Sequence, residues 1–478
     1  MKFIPVVKIV CIILIYARSQ EKLVASGTIV HPQVFENRGS NSEKVLVIRE
    51  GHSLKLQKAS VLVDRVLFRD VTDTGVIDRY IDGRYYERHL YKDSENEASL
   101  LVQPQADGDY HIVGTINGTH SIEPVSIRGR SLSGRTPHKL SAIPMYRGNH
   151  DSIRTRRSKY GRSIVRYNNA KLDLPRNFTI ETFFLSDVYH TQNFTTETDL
   201  INYAILFMLA VGLRLQQLNP PGFIAVTGVQ ATRTLQEENL YVSLLNRNVI
   251  LGSETLDLLA RYAIFNYPML RSDAIILATG RLLLKESGKE IVDALGLAHI
   301  GAACGHHKGA IVRDEPHTYS GVSTAIHEFG HLLGCNHDGE EDSALCQKNG
   351  GYIMQPRAMG NKRYKFSTCS QIAINKFLRL QKSSCLRSYD YNPKSILPND
   401  TLTTGPVIDG NNFCARYFPN YKNVSLSKAT ENCIFRCNLG NPTDSIQHAD
   451  VFAPDGTRCD TEDVRKKCKY GFCMPSRQ

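Results

Sequence analysis

One segment, YSGVSTAIHEFGHLLGCNHDG, limits what this chain can fold into more than any other. Its apolar residues recur at helical spacing and Ser320 is a candidate N-cap, so the segment predicts an amphipathic helix. His327 and His331 project from one face of this helix, on the side away from the apolar stripe. Gly334 ends the predicted helix, because glycine adopts the left-handed backbone of a C-terminal cap, and the turn brings His337 towards the other two imidazoles.

Three imidazoles in this arrangement predict a catalytic zinc site. Zinc binds His nitrogens at about 2.0–2.1 Å, and three protein ligands leave a fourth position for water. Glu328 diverges by ~100° from its neighbour His327 around the helix, so it does not bind the same ion but can reach that water as general base. Zinc lowers the pKa of the water to about 7, and the pattern therefore predicts hydrolysis of a peptide carbonyl with Glu328 as the proton carrier.

The cysteines indicate an oxidising compartment. Of 12 cysteines, eleven lie between Cys304 and Cys473. Residues 1–19 combine two lysines with an apolar run and end in Ala-Arg-Ser, which predicts a signal peptide cut near Ser19. This apolar run is too short for a membrane anchor, and the run from Ala204 to Leu213 predicts a core helix instead. We expect a secreted protein without a membrane anchor.

The positive charge is concentrated in one segment. The net charge is +11, and between Arg128 and Arg166 eleven Lys or Arg stand against one acidic residue. The remainder is close to balanced, so we expect no nucleic-acid partner. The segment contains Arg-Thr-Arg-Arg followed by Ser158, the pattern that secretory-pathway convertases cut, which predicts cleavage after Arg157. Residues 20–157 would then be a propeptide, and because they contain no cysteine, a propeptide thiolate cannot silence the zinc.

The sequence predicts four parts: a signal peptide (1–19), a β-rich propeptide (20–157), a catalytic domain (158–387) and a tail (388–478). In the third part predicted strands alternate with helices, which indicates an α/β domain with a mixed, mostly parallel sheet. Its predicted strands are Phe178–Leu185, Phe223–Val229 and Ala274–Ala278, and its predicted helices are Thr196–Leu218 and Ser253–Tyr267. The tail begins as a linker and carries six cysteines, so it predicts a small disulfide-rich module.

The segment HEFGHLLGCNHD resembles the H-E-x-x-H-x-x-G-x-x-H signature of the metzincin proteases. Asp338 after the third histidine is similar to the reprolysin (adamalysin) branch, which includes the ADAM and ADAMTS proteases. Gly-Tyr-Ile-Met354 resembles the Met-turn of that family, which would place Met354 beneath the zinc histidines. The resemblance covers residues 170–386, including Leu297–Gly301 where the family has its substrate-binding edge strand. With the convertase site and the Cys-rich tail, the chain most resembles tick salivary metalloproteases.

The resemblance also implies two disulfide bonds, Cys304–Cys385 and Cys346–Cys369. Cys335 is then left over in the catalytic domain. It is a buried thiol, forms a bond to another chain, or displaces one of the assigned partners.

The resemblance extends only in part to a calcium site. Glu181 and Asp273 match residues that bind calcium in some members, but Ser388 stands where the pattern has Asn. His306 and His307 are expected to be exposed loop residues, since no residue near them in sequence has ligand spacing. Five Asn-x-Ser/Thr sequons predict N-glycosylation; they begin at Asn117, Asn177, Asn193, Asn399 and Asn423.

These patterns together predict a secreted, monomeric zinc metalloendopeptidase that is made as a zymogen. By resemblance, its substrates would be extracellular or plasma proteins of a host, such as fibrin(ogen) and matrix, cut during blood feeding by a toxin that impairs haemostasis. Two alternatives stay open: a catalytically silent binding protein on the same scaffold, and a protease that processes the organism's own matrix. Glu328 together with all three histidines favours an enzyme over a silent binder.

Overall fold

The structure is a computed structural model. It describes residues 27–36, 43–73, 75–125, 135–144, 149–153, 172–287, 290–356 and 360–387, followed by Cys414 and residues 424–430, 434–439, 447–452, 463, 465–469 and 472–475. The expected signal peptide, the cleavage site at Arg157 and Ser158, and the residues Ser388, Asn399 and Asn423 lie outside the described residues.

The N-terminal part is built from short antiparallel strands. The described strands are β1 (Thr28–Val30), β2 (Gln33–Glu36), β3 (Glu43–Arg49), β4 (His52–Lys58), β5 (Leu62–Thr72), β6 (Gly75–Asp82), β7 (Leu90–Asp93), β8 (Ala98–Pro104), β9 (Tyr110–Ile116), β10 (His120–Pro124), β11 (His138–Ala142) and β12 (Asn149–Ile153). Nine of them form one antiparallel sheet in the order β1-β11-β10-β9-β8-β7-β4-β3-β2. In β3, buried Leu46 and Ile48 alternate with more exposed neighbours, as a strand with one covered face requires.

A second sheet forms the centre of the catalytic domain, and it also includes β5, β6 and β12 of the N-terminal part. Its further strands are β13 (Phe178–Ser186), β14 (Gly222–Thr232), β15 (Leu244–Asn246), β16 (Val249–Leu251), β17 (Ala274–Thr279), β18 (Leu282–Ser287), β19 (Glu290–His299) and β20 (Gly309–Arg313). The order is β15-β16-β18-β19-β20-β17-β13-β14-β5-β6. Pairing is antiparallel on both sides of β19 and at the two ends, and parallel elsewhere along this order. The predicted mixed, mostly parallel sheet is confirmed.

Helices cover both faces of this sheet. They are α1 (Gly83–Glu87), α2 (Val188–Thr191), α3 (Glu197–Leu215), α4 (Leu235–Glu238), α5 (Gly252–Phe265), α6 (Tyr267–Arg271), α7 (Val322–Leu332) and α8 (Thr368–Leu378), with 3₁₀ turns at Glu341–Ser343, Gly360–Tyr364 and Gln381–Arg387. Side chains of α3 and α7 share one hydrophobic core, and side chains of α5 and α6 belong to a second. The two helices predicted from periodicity are therefore present as α3 and α5.

Helix α3 is the long apolar helix of the chain. It begins with a capping box between Thr196 and Asp199. Among the described helices it alone is long and apolar enough to cross a membrane, and 83% of its apolar stretch is buried inside the protein. The predicted core helix is thus observed, although it ends at Leu215 rather than at Leu218.

Strands of the N-terminal part also enter the second sheet. Strand β5 pairs in parallel with β14, and an ion pair of 2.7 Å joins Asp70 to Arg233 beside this pairing. Strand β12 pairs in parallel with β19, from Asn149 opposite Ala294 to Ile153 opposite His299. The N-terminal part therefore contacts the catalytic domain through a shared sheet.

The described tail consists of short strands. They are β21 (Val424–Thr430), β22 (Ile434–Leu439), β23 (Gln447–Phe452), β24 (Lys466–Lys469) and β25 (Phe472–Pro475). The first three form one antiparallel sheet and the last two form a hairpin. A disulfide bond joins Cys414 to Cys437, so the described tail has the disulfide expected of a small module.

Candidate metal centre

The first turn of α7 is anchored by Asp314. The backbone N–H of Gly321 donates to Oδ1 of Asp314 over 2.7 Å, and Oγ of Ser320 donates to the same oxygen over 3.3 Å. The N-cap residue is Gly321 and no side chain caps in its place, so the predicted N-cap at Ser320 is wrong. A carboxylate at this end complements the positive end of the helix dipole.

The three histidines of the pattern meet in space. Nε2 of His327 lies 2.9 Å from Nε2 of His331 and 3.2 Å from Nε2 of His337. Two nitrogens bound tetrahedrally to one zinc ion are about 3.3 Å apart. His337 reaches the helical pair because the chain turns at Gly334, whose φ is +98°. The three donor atoms therefore converge at the separation that zinc ligands have.

Hydrogen bonds at the other ring nitrogens orient these imidazoles. Nδ1 of His327 donates to the carbonyl oxygen of Ile353 (2.6 Å), and Nδ1 of His331 donates to that of Cys335 (2.8 Å). A carbonyl oxygen only accepts, so the proton of each neutral ring lies on Nδ1 and Nε2 presents its lone pair. Nδ1 of His337 faces a carboxylate oxygen of Glu340 at 3.5 Å. The donor set fits a zinc ion.

Met354 packs against α7 at Gly330. Its side chain is fully buried, and a Cβ atom built on Gly330 of α7 would lie 3.0 Å from Cε of Met354. The backbone of the turn at Met354 contacts both sides of the site. Its carbonyl at Ile353 holds His327, and the N–H of Asp338 donates to the carbonyl of Met354 over 2.9 Å. The turn therefore joins the helical ligand to the segment that carries His337.

Glu328 is fully buried and its carboxylate packs against β19. A Cβ atom built on Gly296 would lie 2.5 Å from Oε1 of Glu328 and 2.5 Å from Cγ2 of Thr324. A glycine is therefore needed where α7 approaches the strand. This contact places the candidate general base beside the strand that the resemblance identifies as the substrate-binding edge.

Two disulfide bonds join separate segments of the catalytic domain. The structure pairs Cys304 with Cys385 and Cys346 with Cys369. Cys335 is buried, and it forms no disulfide bond with the described residues. Its Sγ donates to the carbonyl of Ser370 over 3.5 Å. Burial raises the pKa of the Cys335 thiol, and the charge of Asp338 raises it further.

A lysine side chain, Lys308, lies near the two residues that the resemblance suggests as calcium ligands, Glu181 and Asp273. The N–H of Glu181 donates to Oδ2 of Asp273 over 2.9 Å. The buried Lys308 ammonium donates to the carbonyls of Leu270 (2.7 Å) and Ser272. Burial lowers the pKa of Lys308 to about 8, and the charge of Asp273 acts in the opposite direction. The Lys308 ammonium thus compensates the charge of Asp273.

The described sequons lie at the surface to different extents. Asn177 and Asn193 are exposed, and Asn117 is half-buried in a turn. In that turn the hydroxyl of Thr119 donates to Oδ1 of Asn117 over 2.6 Å. The first two positions have the accessibility that a glycan requires.

Several residues of the site carried no signal in the sequence. Asp314 precedes the helix in sequence and was not distinguished from other acidic residues, and Gly296 lies about thirty residues before Glu328. The carbonyls of Ile353 and Cys335 orient the histidines through backbone atoms, which no residue type reveals. The Gly-x-x-His spacing from Gly334 to His337 was the one indication that chain reversal would complete the site.

The fold and the site are typical of one class of protein, the zinc peptidases. Three histidines converge at a candidate metal centre, with a glutamate next to the first of them, on a mixed α/β sheet. Residues 254–389 match the model of the Reprolysin (M12B) family zinc metalloprotease. This stretch of the chain is therefore similar to a reprolysin-type metalloprotease domain.

Individual proteins extend this similarity beyond the domain. The chain is similar to the venom metalloproteinase BumaMPs1 of Olivierus martensii, with 26% identity over 78% of this chain and 95% of the relative. It is also similar to the venom metalloproteinase antarease TserMP_A of Tityus serrulatus, with 25% identity over 76% of this chain and 94% of the relative. A third relative is the mouse protein "A disintegrin and metalloproteinase with thrombospondin motifs 16", with 33% identity over 31% of this chain and 12% of the relative.

Proposed function

We propose that the mature chain is a secreted zinc endopeptidase in which His327, His331 and His337 bind the ion and Glu328 is the general base. The convergence of the three Nε2 atoms at 2.9 and 3.2 Å carries this proposal. When bound, zinc supplies Lewis acidity that polarises a peptide carbonyl and acidifies water. Glu328 accepts the proton of the attacking water and returns it to the leaving amine.

Metal removal tests this function. Chelation of the mature chain should abolish digestion of casein, and added Zn²⁺ should restore it. His331→Ala removes one ligand and should weaken zinc binding together with activity. Activity that survives exhaustive chelation, with zinc shown by mass spectrometry to be absent, contradicts the proposal.

We further propose that residues 20–157 form a propeptide that keeps the enzyme latent by occupying the edge of β19. Strand β12 pairs along this edge from Ala294 to His299, which overlaps Leu297–Gly301 of the expected substrate strand. Its register places His150 opposite Gly296, the residue against which Glu328 packs. A peptide substrate that binds by strand addition needs the same backbone groups of β19. Cleavage after Arg157 would separate this strand from residues 158–387.

As substrates we propose extracellular proteins of a host, such as fibrin(ogen) and matrix proteins. We also propose that the enzyme is a monomer and that its surface is N-glycosylated. The support is the similarity to two venom metalloproteinases that each match over most of their length. Profiling of cleavage sites on a peptide library, followed by digestion of fibrinogen and of matrix proteins, tests the substrate class. Cleavage of the organism's own matrix with no cleavage of host proteins would favour the endogenous alternative.

A further inference from the structure

A second group of metal-ligating side chains lies on the opposite face of β19. It consists of Asp257 in α5, His299 at the end of β19 and His307 in the loop before β20. One candidate donor atom from each residue lies within 4.8 Å of the other two. The rings of His299 and His307 are 4.8 Å apart between centroids and inclined by 62°.

The alternation of β19 separates this group from the histidines of α7. Gly296 and Ala298 face α7: the first packs against Glu328, and the second belongs to the core that contains α7. Leu297 belongs to the other core, with Leu256 of α5. Successive side chains of a strand point to opposite faces, so His299 follows Leu297 onto the α5 side. The two groups of histidines therefore lie on different faces of one strand.

The donor set of this second group is selective. Two imidazoles and one carboxylate are ligands of zinc and of neighbouring divalent transition ions, whereas calcium and magnesium require oxygen ligands. Tetrahedral zinc needs donor atoms about 3.3 Å apart, so the group has to contract from 4.8 Å. Asp257 is exposed and His307 is half-buried, so both side chains have room to rotate towards buried His299.

We propose that Asp257, His299 and His307 form a second zinc site, with water as the remaining ligand. The ion would join α5 to the end of β19 and to the loop that follows it. His299 is also the residue opposite Ile153 of β12, so the ion would stabilise the strand on which the N-terminal part is paired. Binding to the folded state alone raises stability in proportion to the logarithm of ligand concentration.

The chain supplies a matched pair for the test, because His306 and His307 are adjacent and only His307 belongs to the group. Full-length protein carrying Glu328→Ala, which prevents self-digestion, is equilibrated with buffered Zn²⁺, and zinc per chain is measured by mass spectrometry. We expect about two equivalents in this parent protein and with His306→Ala, and about one with His307→Ala or Asp257→Ala. Zinc should raise the unfolding temperature of His306→Ala further than that of His307→Ala.

His331→Ala separates this proposal from the catalytic one. It should remove the other equivalent and leave the zinc that depends on His307 in place. A parent protein that binds one equivalent, lost with His331→Ala and unchanged with His307→Ala, overturns the second site and leaves the catalytic centre intact. The loss of both equivalents with His307→Ala, in a protein whose circular dichroism is unchanged, also contradicts an independent site.

Discussion

Gly296 and Glu328 are in direct contact: a Cβ atom at position 296 would lie 2.5 Å from Oε1 of the glutamate. Strand β19, which we propose to bind substrate, therefore packs against α7 so closely that only a residue without a side chain fits at position 296. The position of the candidate base depends on this glycine.

Gly296→Ala should therefore reduce kcat, because the new methyl group displaces the Glu328 carboxylate or α7 itself. Overpacking of this kind costs about 1–3 kcal/mol of stability. The measurement is kcat on a peptide substrate together with zinc content, which should stay unchanged. Gly212→Ala in α3 is the control: its Cβ would meet Ile224 at 3.9 Å, so we expect full activity and a gain of up to about 1 kcal/mol. Equal kcat in both variants would falsify the role given to this contact.

Glu328→Ala should leave zinc bound, since the three histidines remain, and should reduce proteolysis by a factor of about 10²–10⁴ through loss of the base. Casein digestion and zinc per chain are measured on the same preparation. Glu341→Ala, which changes an exposed glutamate near the site, serves as the control and should keep its activity. A Glu328→Ala protein that digests casein at an undiminished rate contradicts the mechanism.

Asp314→Asn should destabilise the protein by about 2–4 kcal/mol. Its Oδ1 accepts from Gly321, and its Oδ2 accepts from the hydroxyl of Tyr203 (2.6 Å) and faces Nε2 of His190 (3.1 Å), all in the interior. In the asparagine variant an NH₂ group replaces one of the two carboxylate oxygens, so a hydrogen-bond donor would face the donor groups that this oxygen now accepts from. Urea unfolding measures the change; Asp342→Asn at the surface should stay within about 0.5 kcal/mol of wild type. A similar result for both variants would show that α7 does not depend on Asp314.

Cys335 should react with iodoacetamide only after denaturation. Burial excludes the reagent, and the raised pKa keeps the sulfur protonated at pH 8, where an ordinary thiol with a pKa near 9 already forms some thiolate. Peptide mapping of the unreduced protein, labelled before and after unfolding, measures this. A bond from Cys335 to Cys346 or Cys369 would instead show that one of the two pairs in the structure is exchanged.

A proline in β12 should activate the uncleaved chain. Proline removes a backbone donor, and alternate residues of a strand direct that donor to β19, so Asp151→Pro and Ser152→Pro together cover both orientations. At least one of them should show activity on a short peptide in an Arg157→Ala background, in which cleavage is blocked. The Arg157→Ala parent should stay latent, also after mercurial treatment, because residues 20–157 contain no cysteine. Full activity of that parent would contradict the proposed latency.

Periodicity correctly predicted those helices and strands whose own sequence specifies which of their faces is buried. Helix α3 and strands β13, β14 and β17 appear where their apolar residues indicate, because each buries a face that its own sequence specifies. The boundaries were less accurate: the helix predicted to Leu218 ends at Leu215, and the cap expected at Ser320 belongs to Gly321. The N-terminal end of α7 is set by hydrogen bonds to the carboxylate of Asp314, which no local pattern distinguished from other acidic residues.

Residue type and spacing alone determined the chemistry that we propose for this chain, since histidines four apart on a helix share a face and a glycine permits the reversal that brings the third. Only the tertiary structure decided how that chemistry is positioned and covered. It placed Gly296 against Glu328, brought β12 to the edge of β19, and joined His307 to His299 and Asp257. These relationships arise from strand pairing and close packing between distant segments, and a linear pattern does not encode which edges and faces will meet.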